Sequence, residues 1–198
     1  MTNIRQTIRD SRKKLSSNQI EAASKTIFKK IISLPEFSNA QHIAYYLSNE
    51  NEIDPSLIIE HARHLKKSLY LPIFLEQNQL AFYLIDLHTP FKKNKFNIME
   101  PIILNQSPIP FAQFDLMLIP LVAFDKDCHR LGRGAGCYDR YLALTQKLPQ
   151  DQRPILIGLA YEFQKIDNII PENWDVAMDY IVTEEALYKR PLYDKNMK

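Results

Sequence analysis

Glycine is scarce in this chain. Only four occur among 198 residues, and three of them, Gly132, Gly134 and Gly136, fall together. That scarcity elsewhere makes the cluster a feature rather than a compositional accident. Other shortages exclude whole classes of protein. The two cysteines, Cys128 and Cys137, are too few for a disulfide framework and lack the spacing and histidine partners of a structural zinc site. They read as free thiols. No apolar run approaches the roughly 20 residues that span a bilayer. The opening segment, Met1-Thr-Asn-Ile-Arg-Gln-Thr-Ile-Arg9, has no apolar signal-peptide core. A cytoplasmic protein without a membrane partner is expected. Charge of one sign is not in excess, since 25 Lys+Arg stand against 23 Asp+Glu. That balance gives no basic footprint for nucleic acid, so any anion must be bound locally by a few placed groups. With 45% hydrophobic and 24% charged residues, the composition is that of a globular chain, read as a single domain over residues 1–198 and as a monomer.

The apolar pattern changes period along the chain. Ile4, Ile8 and Leu15 follow helical spacing, with Arg5, Arg9, Arg12, Lys13 and Lys14 on what reads as a solvated basic face. Ser16 and Gln19 form a capping box before a second helix through Ile20, Ala23, Ile27 and Ile31, closed by Pro35. Strands are predicted at 43–47, 69–74, 80–85, 114–119, 154–159 and 180–182, the third of them at an edge. Asp54-Pro55 opens a helix between the first two strands, and a helical stripe runs from Tyr138 to Leu148. The stretch from His88 to Phe111, broken by four prolines, reads as a loop. Alternating strands and helices predict a three-layer α/β/α domain with a mostly parallel central sheet.

The chemistry centres on Arg130-Leu-Gly-Arg-Gly-Ala-Gly-Cys-Tyr-Asp139. Glycines allow positive φ and close approach of backbone amides to a ligand, and such a loop can form an anion-binding concavity. The start of the following helix adds free amides, and Arg130 and Arg133 bring planar donors suited to phosphate oxygens. Neither common nucleotide motif fits: the third glycine of a dinucleotide fingerprint is replaced by Cys137, and no Gly-Lys-Ser/Thr is present. Asp139 serves equally well as a magnesium carboxylate or as a complement to the helix dipole.

Leu118-Ile-Pro-Leu-Val-Ala-Phe-Asp125, followed by Arg130 to Leu142, resembles the signature of the 5-formyltetrahydrofolate cyclo-ligase family. The arginine-rich first helix, the segment Tyr46 to Asp54, Met99-Glu-Pro101 and the tail Asp175 to Val182 are similar to family segments in the same order. The resemblance implies the NagB/RpiA/CoA transferase-like fold. It also implies conversion of 5-formyltetrahydrofolate to 5,10-methenyltetrahydrofolate with ATP and Mg²⁺, releasing ADP and phosphate. In the implied reaction the formyl oxygen would be phosphorylated, N10 would attack the activated carbon, and phosphate would leave. By position, Arg5, Arg9 and the run Arg130, Leu131, Gly132, Arg133, Gly134, Ala135, Gly136, Cys137 and Tyr138 would bind ATP. Arg133 and Tyr138 would act in catalysis, Leu47, Glu52 and Cys137 would contact folate, and Asp139 and Asp179 would hold magnesium. The chain departs from the family at Cys137, where many relatives carry a second tyrosine, at Ala135, where Lys or Gly is frequent, and in lacking a counterpart of an N-terminal lysine. The alternative is a non-catalytic nucleotide- or RNA-binding protein on the same fold. An isomerase or acyl-CoA transferase, suggested by fold analogy, would need a catalytic acid in a motif that is not found.

Among remaining residues, His61 and His64 read as surface histidines and Trp174 as a packing anchor. Tyr45, Tyr46, Phe74, Phe82 and Tyr83 read as core, with one or two available to line a pterin pocket.

Overall fold

The computed structural model describes residues 2–94 and 98–191. Helix α1 (Thr2–Lys13) leads into α2 (Ser17–Ile32), whose start carries the expected capping box: Ser16 Oγ accepts from the Gln19 amide, and Gln19 accepts from the Ser16 amide. Pro35 opens the short helix α3 (Pro35–Asn39) instead of closing α2, since a proline is tolerated at a helix start. Then follow β1 (His42–Ala44), α4 (Ser56–His64), β2 (Ser68–Phe74) and β3 (Leu80–Leu84). The segment expected to be a loop pairs as an antiparallel ribbon, β4 (Phe91–Lys93) with β5 (Met99–Pro101). Pro90 and Pro101 lie at the ends of these strands, where no ladder donor is required, and Pro108 and Pro110 lie in the irregular chain beyond them. The chain continues through β6 (Leu116–Pro120), the hairpin β7 (Ala123–Phe124) and β8 (Arg130–Leu131), α5 (Cys137–Leu142), β9 (Ile155–Leu159), β10 (Tyr180–Val182) and β11 (Leu187–Lys189). The helix after the glycines is shorter than its apolar stripe predicts, because residues 143–147 tighten into a 3₁₀ turn.

The main sheet has seven strands in the order β11-β10-β9-β6-β1-β2-β3. Its five central strands run parallel, and β3 and β11 pair antiparallel at the two edges. Side chains alternate across it. Leu116 and Leu118 join Ile27, Ile31, Phe37, Ile58 and Ala62 of α2, α3 and α4, whereas Met117 and Ile119 join Phe111, Phe114, Cys137 and Leu142 on the other face. Gly158 in β9 is needed for packing, because a Cβ there would come within 2.6 Å of Ile181 and 2.7 Å of Leu121. All five parallel strands point the same way, so their C-terminal ends share one rim.

Three expectations change with packing. Trp174 is 60% exposed, too open for the packing anchor expected of it. His61 is half-buried, with its ring 5.7 Å from Phe28 and 6.1 Å from Phe37. The basic face of α1 is only partly solvated: Lys13 and Lys14 are exposed, Arg5 and Arg9 are half-buried, and Arg12 is buried, while Ile4 is exposed.

Candidate active site

The rim bears a cavity of about 250 Å³ whose floor is Leu71, Pro72, Phe74, Pro120 and Leu121. Leu47, Asn49 and Glu52 form one wall, the glycine segment a second, and Met99, Glu100 and Pro101 of the β4–β5 ribbon a third. An adjoining cavity of about 600 Å³ shares Tyr46, Leu47, Asn49, Ile98 and Met99 with it and extends to Tyr45, Asp54 and Arg63.

Apart from Pro120 and Leu121 in the floor, the family-like stretch before the glycines is scaffolding. Asp125 is fully buried and accepts from the amides of Asp127, His129 and Ile169 and from His129 Nδ1, fixing the β7–β8 turn. Buried Gln164 donates to the carbonyls of Leu121 and Val122, holding the chain where β6 ends. From this support β8 delivers Arg130. The loop then uses positive φ at Gly134 (108°) and Gly136 (67°), and Gly136 caps α5. A β-carbon at Gly134 would be strained in this left-handed region.

Charges converge on the loop from three directions. Arg130 is buried and pairs with Asp139 in the first turn of α5, and its Nε has no hydrogen-bond partner. Arg5 donates from Nε to the Gly132 carbonyl at 2.8 Å. Arg9 holds Glu50 with two bonds, at 3.1 and 2.6 Å. Arg133 donates from Nε and Nη2 to Glu52 Oε1 at 3.2 and 2.9 Å. Glu52 Oε2 accepts from the Asn49 amide at 3.1 Å, within a turn that places Glu50 and Asn51 at positive φ.

Two titration shifts bear on chemistry. Burial pushes the Tyr138 hydroxyl well above the usual tyrosine range, and Glu52 pushes it further the same way. Tyr138 therefore keeps its proton at neutral pH and can donate but not act as a base. Burial also raises the Cys137 thiol, so this position is not a reactive thiolate.

The structure brings most of the expected residues to one cavity. Leu47, Glu52, Arg130, Gly132, Arg133, Gly134, Ala135, Gly136, Cys137, Tyr138 and Asp139 all line it. Arg5 reaches it through Gly132, and Arg9 through Glu50. Two expectations fail geometrically. Leu131 turns its side chain away to pack with Ala123 and Ile169, because successive residues of a strand face opposite ways. Asp179 is not brought to Asp139. It lies beside Leu156 near the start of β9, accepting from the Leu156 amide at 2.9 Å and pairing with Arg190 at 2.6 Å. The rim, at the level of Pro120 and Leu159, is three residues further along the register, about 10 Å at the strand rise. Burial raises the Asp179 carboxyl above its ordinary value, against the pull of the Leu156 amide and Arg190.

Sequence reading missed two residues. Glu100 is buried in the wall and accepts from the Phe74 amide at 2.8 Å. Its Met-Glu-Pro step resembles a family segment, but nothing in the sequence gives the acid a role until the ribbon is formed. Arg12 reads as one charge of a solvated face, although Arg5, Arg9 and Arg12 follow the i, i+4, i+7 spacing of one helix face.

The sequence pattern of the 5-formyltetrahydrofolate cyclo-ligase family matches residues 1–184. The chain belongs to that family. It is 37% identical over 179 residues to the 5-formyltetrahydrofolate cyclo-ligase of Haemophilus influenzae, covering 88% of this chain and 92% of that one. It is 27% identical to the Escherichia coli K12 protein of the same name, over 92% of this chain and 99% of that one. Among solved structures, the NMR structure of Aquifex aeolicus 5,10-methenyltetrahydrofolate synthetase superposes with a TM-score of 0.78 at 27% identity, covering 99% of this chain and 97% of that chain. The synthetase from Mycoplasma pneumoniae gives 0.71 at 28% identity, over 92% and 98%.

Proposed function

We propose that this chain converts 5-formyltetrahydrofolate to 5,10-methenyltetrahydrofolate at the expense of ATP, releasing ADP and phosphate. One observation carries the reading: Arg133 of the glycine loop closes on Glu52 of the opposite wall, so a phosphate-type surface and a carboxylate suited to a pterin share one cavity. The formyl group is amide-like, with a poorly electrophilic carbon and an oxygen that leaves badly. Transfer of a phosphoryl group to that oxygen activates it for attack by N10, and phosphate then departs. Such chemistry asks for positioning and for neutralised phosphoryl charge rather than for a protein nucleophile.

The residues fit those demands. Loop amides, Arg5, Arg130 and Arg133 supply donors for the polyphosphate, with Arg133 set against the transferred group. Glu52 accepts from the pterin donor edge, and Leu47 and Cys137 add contact surface. Tyr138 donates a hydrogen bond. The adjoining cavity gives room to the benzoylglutamate tail. No group of three His, Cys, Asp or Glu suited to a metal occurs among the described residues. Magnesium binds through one or two carboxylates plus phosphate oxygens, so Asp139 would suit it once nucleotide draws Arg130, its partner here, onto phosphate. The ion would there neutralise phosphate charge. On this reading the enzyme works as a cytoplasmic monomer, without nucleic acid.

The test is incubation of purified protein with 5-formyltetrahydrofolate and MgATP, followed through the absorbance of the methenyl product. Product formation that requires ATP is expected. Its absence at high enzyme concentration overturns the reading.

A further inference from the structure

Arg12 is unlike the other arginines of α1. Its side chain is 1% exposed, and its Nε and Nη2 have no hydrogen-bond partner. Nη1 lies 3.5 Å from Glu52 Oε1, the same oxygen that receives both donors of Arg133. Nη2 lies 4.0 Å from Glu50 Oε2. Two guanidiniums thus meet one carboxylate oxygen, Arg12 from the interior and Arg133 from a side chain that is 39% exposed. For packing alone, an apolar side chain of similar length would serve without the desolvation penalty of a buried cation.

Glu52 is 6% exposed. If Arg133 were its sole cation, drawing that arginine onto phosphate would strand a buried carboxylate, which is strongly unfavourable. We infer that Arg12 is a positioning residue: it keeps Glu52 paired and oriented while Arg133 exchanges the carboxylate for phosphoryl oxygens. The two like charges on one oxygen also repel, which eases the departure of Arg133. The inference rests on the proposed placement of nucleotide at the loop.

A double-mutant cycle read by calorimetric titration with the β,γ-imido analogue of ATP and magnesium tests it. Arg12→Met should weaken nucleotide binding about tenfold, because releasing Arg133 then strands Glu52. In a Glu52→Gln background the same change should cost no more than about twofold, since no carboxylate remains to be stranded. Arg12→Lys should keep affinity within about threefold of the parent chain. If Met impairs folding, Arg12→Gln supplies the same comparison with a smaller loss. Equal losses in both backgrounds, or no loss in either, overturn the inference. The cycle needs no folate, so a chain that binds nucleotide but forms no methenyl product defeats the proposed reaction alone. A parent chain that does not bind the nucleotide defeats both.

Discussion

Two ion pairs of nearly matching geometry have different settings. Arg133 meets Glu52 at 2.9 Å and Arg190 meets Asp179 at 2.6 Å, and the two arginines are 39% and 44% exposed. The first pair bridges two walls of a cavity at the strand ends. The second ties the β10–β11 edge to the first residues of β9, where the Leu156 amide completes the carboxylate's bonds. Pairing of charge therefore does not mark a site by itself. What separates the two is whether the backbone leaves a ligand room to replace one partner.

The largest expected difference is in turnover. Arg133→Ala should lower kcat about 10²- to 10³-fold, the loss typical of one placed transition-state donor. Its melting midpoint should move by no more than about 4 °C. Arg190→Ala should leave kcat within about twofold. Methenyl formation and thermal melts on both variants measure this, and an equal loss at Arg190 would break the comparison.

The carboxylates give a second contrast. Asp139→Asn should raise the magnesium concentration for half-maximal activity about tenfold, while Asp179→Asn leaves it unchanged. A matching rise for Asp179 would return that residue to the metal site.

A smaller effect concerns stability against pH. Because folding raises the Asp179 pKa, its protonated form contributes stability below the unfolded value of 3.8, and this is lost as pH rises through the folded value. Asp179→Asn removes that slope, and its oxygen can still accept from Leu156, so stability at neutral pH should change by no more than about 1 kcal/mol. Denaturant unfolding across mildly acidic pH reads both. A slope of the opposite sign would mean that pairing with Arg190 outweighs burial.

The smallest effect is expected at the thiols. Burial lifts Cys128 to about 11 and raises Cys137 as well, so iodoacetamide near pH 7.5 should label neither appreciably in the folded chain. Rapid labelling of Cys137 would show the loop to be more open than its packing implies.

The sequence by itself determined the parallel-sheet class, the capping box at Ser16, the glycine loop and its arginines. These are local matters: period of apolar residues, a cap three residues from its partner, and glycines where φ must be positive. Family resemblance added Glu52 and Leu47, which sequence chemistry alone reads as an ordinary loop acid and core. Only tertiary structure decided which charges met. Arg5, Arg9 and Arg12 look like any basic helix face until α1 lies against the 49–52 turn, which buries Arg12 and pairs Arg9 with Glu50. Asp139 and Asp179 are equivalent as letters, yet register alone places one at the rim and the other near the start of β9. The Met-Glu-Pro step acquired a place when the ribbon β4–β5 folded over the rim and set Glu100 in the wall. Long-range contacts of this kind leave no period in the sequence, because neither partner's neighbours carry any trace of the other.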